Sequence, residues 1–203
     1  MTALATTLVL GGARSGKSAF AEKMIGDSGL TRIYLATATA DDDEMRNRIV
    51  HHRMQRGDGW ITVEEPLALV DALTREVTHG RAVLVDCLTL WLSNLMFAER
   101  DPDVEARRLT RFLGVAKHPV VLVSNEVGLG LVPETPLGRD FRDAQGRLNQ
   151  IVAANVPNVV FIAAGLPLWL KRSSEGELEC PVSPSPCSPD FSAPARPRCC
   201  APC

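Results

Sequence analysis

Short runs rich in Val, Leu and Ile recur at 8–10, 32–36, 82–85, 120–124 and 158–164, separated by longer segments whose apolar positions return at helical spacing. Runs without polar alternation predict strands buried on both faces, and their alternation with helices predicts parallel pairing through helical crossovers. The expected fold is α/β: a mostly parallel, doubly wound sheet flanked by helices. Segment 40–60 reads as helical through Ile49 and His52, with Asp41, Asp42 and Asp43 enriching its first turn. Residues 87–94 read as another helix after the third run. From Ser173 onward the pattern is lost among prolines and serines (Pro181, Pro184, Pro186, Pro189 and onward), and such a segment buries too little apolar surface to offset its ordering entropy. One domain is expected over 1–172, followed by a disordered tail over 173–203.

Composition narrows the function without naming it. The chain has 203 residues and a net charge of −2, enough for one α/β core and without the basic excess that nucleic acid or an anionic membrane would select. No apolar run reaches the roughly 18 residues of a membrane span, and no secretory leader opens the chain, so a cytoplasmic protein acting on small solutes is expected. Five of the six cysteines (Cys180, Cys187, Cys199, Cys200, Cys203) crowd into the tail without the paired spacing of a zinc site, while Cys87 stands alone in the body.

The strongest chemical signal follows the first apolar run. Gly11-Gly12-Ala13-Arg14-Ser15-Gly16-Lys17-Ser18 fits G-x-x-x-x-G-K-[ST] and opens a helix-compatible segment, the setting a phosphate-binding loop requires. Gly11 and Gly16 let the backbone curl so that successive N–H groups face one concavity at a helix N-terminus. Lys17 would reach the β- and γ-phosphates, and the Ser18 hydroxyl would ligate Mg²⁺.

Further candidates carry competing readings. Asp86 ends the third run, where a carboxylate would hold Mg²⁺ opposite Ser18; it is equally placed to cap the helix that follows. His51 and His52, beside Arg53 and Arg56, suit phosphate recognition and nucleophilic attack on phosphorus, or are a surface pair. Asn125-Glu126-Val127-Gly128 closes the fourth run, where a switch-point residue faces a ligand, or is a plain strand-to-loop turn. Arg139, Arg142 and Arg147 interleave with Asp140 and Asp143 as on a solvated helix face.

These motifs occur in one order: the phosphate loop, Ala36-Thr37-Ala38, the block from Asp42 to His52, DCLTLWLSNL from Asp86, and SNEVGLGLVPE from Ser124 with a distal FRD-x-x-GR-x-NQ. In that order the chain, from about Thr7 to Lys171, resembles the bifunctional adenosylcobinamide kinase/adenosylcobinamide-phosphate guanylyltransferase family of cobalamin biosynthesis. The resemblance implies a RecA-like P-loop domain that phosphorylates adenosylcobinamide with ATP or GTP, then transfers GMP from GTP to the phosphate through a histidine–GMP intermediate. His51 matches the nucleophile. Matching the nucleotide-contacting positions are the phosphate loop, Ala36, Thr37, Ala38, His52, Arg53, Met54, Gln55, Glu64 and Asp86, with Ser18 and Asp86 on Mg²⁺. A homotrimer is implied as well. The arginine-proline step usual in the family is Arg56-Gly57 here. Two other readings remain at this stage: a P-loop small-molecule kinase without the transferase step, and a nucleotide-switched regulatory module.

Overall fold

The computed structural model describes residues 4–39 and 56–173. Among them, seven strands form one sheet: β1 (Thr7–Gly11), β2 (Thr31–Ala36), β3 (Trp60–Glu64), β4 (Arg81–Asp86), β5 (Val120–Asn125), β6 (Asn158–Ala163) and β7 (Leu166–Lys171). Their spatial order is β3-β2-β4-β5-β1-β6-β7, with every pair parallel except β6 and β7. The helices are α1 (Lys17–Asp27), α2 (Leu69–Glu76), α3 (Leu88–Phe97), α4 (Pro102–Val115) and α5 (Pro136–Asn155). The expected mostly parallel, doubly wound sheet is present. The phosphate-loop strand β1 and the Asp86 strand β4 are kept apart by β5, as in the RecA-like arrangement.

Side-chain alternation along the strands divides the core in two. Leu8, Leu10, Ile33, Leu35, Val83, Val85, Val120 and Leu122 pack with Leu73, Leu92, Leu109 and Leu148 from α2 to α5 on one face. Val9, Tyr34, Leu84, Val121, Val123, Val160 and Ile162 pack with Ala21 and Ile25 of α1 on the other. Successive strand residues point to opposite faces, so uninterrupted apolar runs are what a sheet covered on both sides requires. Helix α3 is apolar nearly all round because it lies in the interior: Leu88, Trp91, Leu92 and Leu95 are at most 1% exposed. Local caps set the other helix starts. Asp101 accepts from the N–H groups of Asp103 and Val104 ahead of α4, and Thr135 accepts from Gly138 N–H at α5.

Two strands were not among the expected runs, and both are edges. Trp60 opens β3, so the helix expected over 40–60 cannot extend to Trp60; Gly57 and Gly59, both at positive φ, turn the chain before it. Residues 40–55 of that expected helix lie outside the described residues. Strand β7 returns from β6 through Ala164 and Gly165, both at positive φ (51° and 78°), a two-residue turn of the I′ kind whose twist suits a hairpin. The interleaved charges of α5 are surface features: Arg142 pairs with Asp143 at 3.0 Å, and Arg147 approaches Asp103 at 3.9 Å.

Candidate active site

The end of β1 delivers Gly11 into a loop tied from several sides. Glu126 N–H donates to Gly11 O (3.1 Å), Ser15 N–H donates to Gly12 O (3.3 Å), and Gly165 N–H donates to Ser15 O (2.8 Å). A Cβ on Gly11 would lie 2.5 Å from Ser15 Oγ and 2.7 Å from Ile162 O, so only glycine fits this approach. Gly16 caps α1 at φ 94°. The first-turn N–H groups of α1 have no acceptor within the helix, and α1 carries no acidic residue in that turn to compete for an anion. Lys17 Nζ donates to Gly12 O at 3.0 Å, which folds the ammonium back over the loop. Ser15 Oγ is buried without a hydrogen-bond partner among the described residues. These features fit a polyphosphate.

Asp86 stands at the end of β4, against which α1 packs. Tyr34, from β2, donates its hydroxyl to Asp86 Oδ2 at 3.1 Å. Asp86 does not cap α3: the capping position belongs to Cys87, which makes no side-chain capping bond. The helix-cap alternative therefore falls away, leaving the carboxylate at the loop end of the sheet. A serine hydroxyl at the start of α1 and a carboxylate on the strand beneath it are hard oxygen donors of the kind Mg²⁺ takes alongside phosphate oxygens and water.

Thr37 has a role that sequence did not reveal. Its hydroxyl donates to Cys87 O (2.7 Å) and accepts from Cys87 N–H (2.8 Å), its own N–H donates to Asp86 O (3.2 Å), and its carbonyl accepts from Asn94 Nδ2 (2.8 Å). Thr37 thus staples the ends of β2 and β4 and locates Asp86, while Ala36 and Ala38 flank it. Glu64 ends β3 exposed, in register with Ala36. Its neighbour Glu65 caps the α2 entry, accepting from the N–H groups of Leu67 and Ala68. His51, His52, Arg53, Met54 and Gln55 lie outside the described residues.

Glu22 and Tyr34 join the site unforeseen, and Arg56, expected beside the histidine pair, meets them there. Glu22 lies one turn beyond Ser18 on α1, a spacing that could have flagged it. Burial pushes its carboxyl up to about 7, with Asp86 adding to the rise and Arg56 opposing it. The Arg56 guanidinium stacks 3.3 Å from the centre of the Tyr34 ring, with Nε and Nη1 buried and unpartnered among the described residues. Burial, then the Asp86 charge, drives the Tyr34 phenol above its usual range, and burial takes the Cys87 thiol up to about 11. Tyr34 is therefore a fixed donor and Cys87 an inert thiol at neutral pH. Gly57 sits at φ 70°, a conformation closed to proline.

The model of one protein family, described as cobinamide kinase / cobinamide phosphate guanyltransferase, matches residues 7–170. The chain belongs to that family. The cobinamide kinase/guanyltransferase match runs from the first residue of β1 to the penultimate residue of β7. Among curated relatives, the bifunctional adenosylcobalamin biosynthesis protein CobP of Pseudomonas aeruginosa is 50% identical over 167 residues, 81% of this chain and 96% of that protein. The bifunctional adenosylcobalamin biosynthesis protein CobU of Escherichia coli is 40% identical over 179 residues, 81% of this chain and 98% of that one. A protein of Pyrococcus horikoshii OT3 solved in a structural study shares the fold at a TM-score of 0.52 and 11% identity, covering 86% of this chain and 90% of its own.

Proposed function

We propose that this cobinamide kinase/guanyltransferase runs both family reactions on one nucleotide site built around the phosphate loop. The observation that carries the reading is the pairing of a complete phosphate loop on β1–α1 with a tyrosine-held carboxylate, Asp86, at the same end of the sheet. ATP or GTP phosphorylates the aminopropanol hydroxyl of adenosylcobinamide, and GTP then supplies GMP to that phosphate, releasing pyrophosphate and adenosylcobinamide-GDP. The loop N–H groups, Arg14 and Lys17 bind and orient the triphosphate, with Gly12, Ala13 and Ser15 shaping the cradle; Lys17 offsets charge that grows on the departing phosphate oxygens. Ser18 and Asp86 would hold Mg²⁺, which, when bound, neutralises phosphate charge.

In the guanylyl step His51 is the nucleophile. Its neutral imidazole forms a bond to the α-phosphorus as the bond to the β-phosphate oxygen breaks, the electron pair leaving with pyrophosphate. A phosphate oxygen of adenosylcobinamide phosphate then displaces the imidazole. Attack requires the imidazole in its neutral form, whose ring nitrogen carries the lone pair that bonds to phosphorus. Ala36, Ala38, Glu64 and residues 52–55 are assigned to the nucleoside side of the site. We assign the protein to the cytoplasm as a homotrimer; the exposed Leu166, Leu168 and Leu170 on β7 supply an apolar edge for assembly. Catalysis belongs to residues 1–172, so truncation after Arg172 should preserve both activities, and a large loss would give the tail a function.

Incubation with Mg²⁺ and GTP labelled at the α-phosphate, followed by denaturation, tests the transferase assignment. Acid-labile, base-stable label on the protein, lost in His51→Ala while cobinamide phosphorylation persists, is the expected result. Absence of label on protein that binds GTP would instead favour a kinase lacking the transferase step.

A further inference from the structure

The connection leaving β1 runs through α1 toward β2 on one side of the sheet order, whereas the connection leaving β5 runs through α5 to β6 on the other. Neighbouring strands whose connections depart in opposite directions open a crevice at their carboxyl ends, where ligands bind in doubly wound sheets. At that crevice Gly11 and Asn125 are direct register partners. Alternation then fixes which way Asn125 points. Ser124 faces α5, where Asn149 Oδ1 accepts its hydroxyl at 2.7 Å, so Asn125 projects to the α1 and phosphate-loop face.

Both main-chain groups of Asn125 are pinned. Its N–H donates to Thr89 Oγ1 (2.8 Å), and its carbonyl accepts from Asn149 Nδ2 (3.0 Å). Asn149 is held in turn by Gln145, whose Nε2 donates to Asn149 Oδ1 (3.0 Å) and to Ser124 Oγ (2.9 Å). Ser124 and Gln145 are fully buried, Asn149 is 5% exposed, and Gln145 Oε1 has no partner among the described residues. A buried polar cluster that leaves an acceptor unsatisfied is a poor way to gain stability and a good way to fix one backbone geometry. The side-chain amide of Asn125 makes no hydrogen bond among the described residues, although both of its main-chain groups are held.

We propose that the Asn125 carboxamide donates a hydrogen bond to the γ-phosphoryl group of the bound triphosphate, and that Ser124, Gln145 and Asn149 are positioning residues that aim it. This rests on the reading of the phosphate loop as the nucleotide site. In the kinase step the acceptor oxygen bonds to the γ-phosphorus as the bond to the β,γ-bridging oxygen breaks. The electron pair leaves with the nucleoside diphosphate, and the hydroxyl proton passes to water. Asn125 follows the γ-phosphoryl oxygens through that transfer, whereas pyrophosphate departure in guanylylation depends on it less.

Equilibrium binding of GDP and of the β,γ-imido analogue of GTP to the full chain, with Mg²⁺, tests this without reference to turnover. Asn125→Ala should bind GDP within about twofold of the unsubstituted protein yet lose roughly tenfold or more for the analogue, the size expected of a hydrogen bond to a charged group. Ser124→Ala, a mild change within the brace, should show a smaller loss in the same analogue-to-GDP ratio, with the thermal unfolding midpoint confirming a folded protein. An unchanged ratio in Asn125→Ala, or equal weakening of both nucleotides, overturns the γ-phosphate assignment. An unchanged ratio in Ser124→Ala removes the brace from it. Failure of the unsubstituted protein to bind either nucleotide would overturn the nucleotide-site reading itself.

Discussion

Tyr34 donates its hydroxyl to Asp86 Oδ2 at 3.1 Å, joining two residues 52 positions apart in sequence on adjacent strands. The bond holds one carboxylate oxygen; in the proposed Mg²⁺ role of Asp86 the other oxygen would meet the cation. Tyr34→Phe keeps the ring under Arg56 and against Trp60, so it isolates the hydroxyl. Loss of about 1 kcal/mol of stability is expected, together with a several-fold rise in the Mg²⁺ concentration giving half-maximal GTP labelling. A Mg²⁺ titration of both proteins checks it; superimposable curves would reduce Tyr34 to packing.

Glu22 makes stability depend on pH. Its folded value, raised from 4.5 to about 7, means the folded chain keeps a proton that the unfolded chain releases. Below pH 4.5 both states are protonated and Glu22 contributes nothing; between about 4.5 and 7 the unfolded state is increasingly favoured, and above 7 the penalty is constant. Glu22→Gln should therefore gain stability relative to the parent at pH 8 but not at pH 4. Urea denaturation at both values decides it, and an identical difference at the two would refute the shift.

Gly11 and Gly12 are neighbours with opposite tolerance. A Cβ on Gly11 meets Ile162 O at 2.7 Å, a backbone atom that cannot step aside, whereas a Cβ on Gly12 meets nothing within 4 Å. Gly11→Ala should cost about 1–3 kcal/mol through overpacking and weaken GTP binding, while Gly12→Ala keeps its stability. Parallel thermal melts and GTP titrations provide the comparison; equal behaviour of the two variants would contradict the loop geometry.

Lys17→Ala should lower both cobinamide phosphorylation and GMP transfer by about 100-fold or more, because both reactions draw on the same charge at the phosphate loop. Separate assays of the two steps check this. An unimpaired kinase rate would mean that the reactions use different nucleotide sites.

What sequence alone determined is local. The buried strands β1, β2, β4, β5 and β6 announced themselves because a strand covered on both faces must be apolar throughout, and the phosphate loop because its glycines and lysine are demanded within one short segment. The edges β3 and β7 did not, since each has a face left partly to solvent and mixes Thr, Glu, Pro and Lys into its apolar pattern. Tertiary structure decided everything that depends on residues distant in sequence meeting: Tyr34 on Asp86, Thr37 stapling Cys87, Gly165 buttressing Ser15, and Gln145 with Asn149 aiming Asn125. Residue identity carries no trace of such partners, because a hydrogen bond is made by position and direction, and those come only from the order in which the strands are laid side by side.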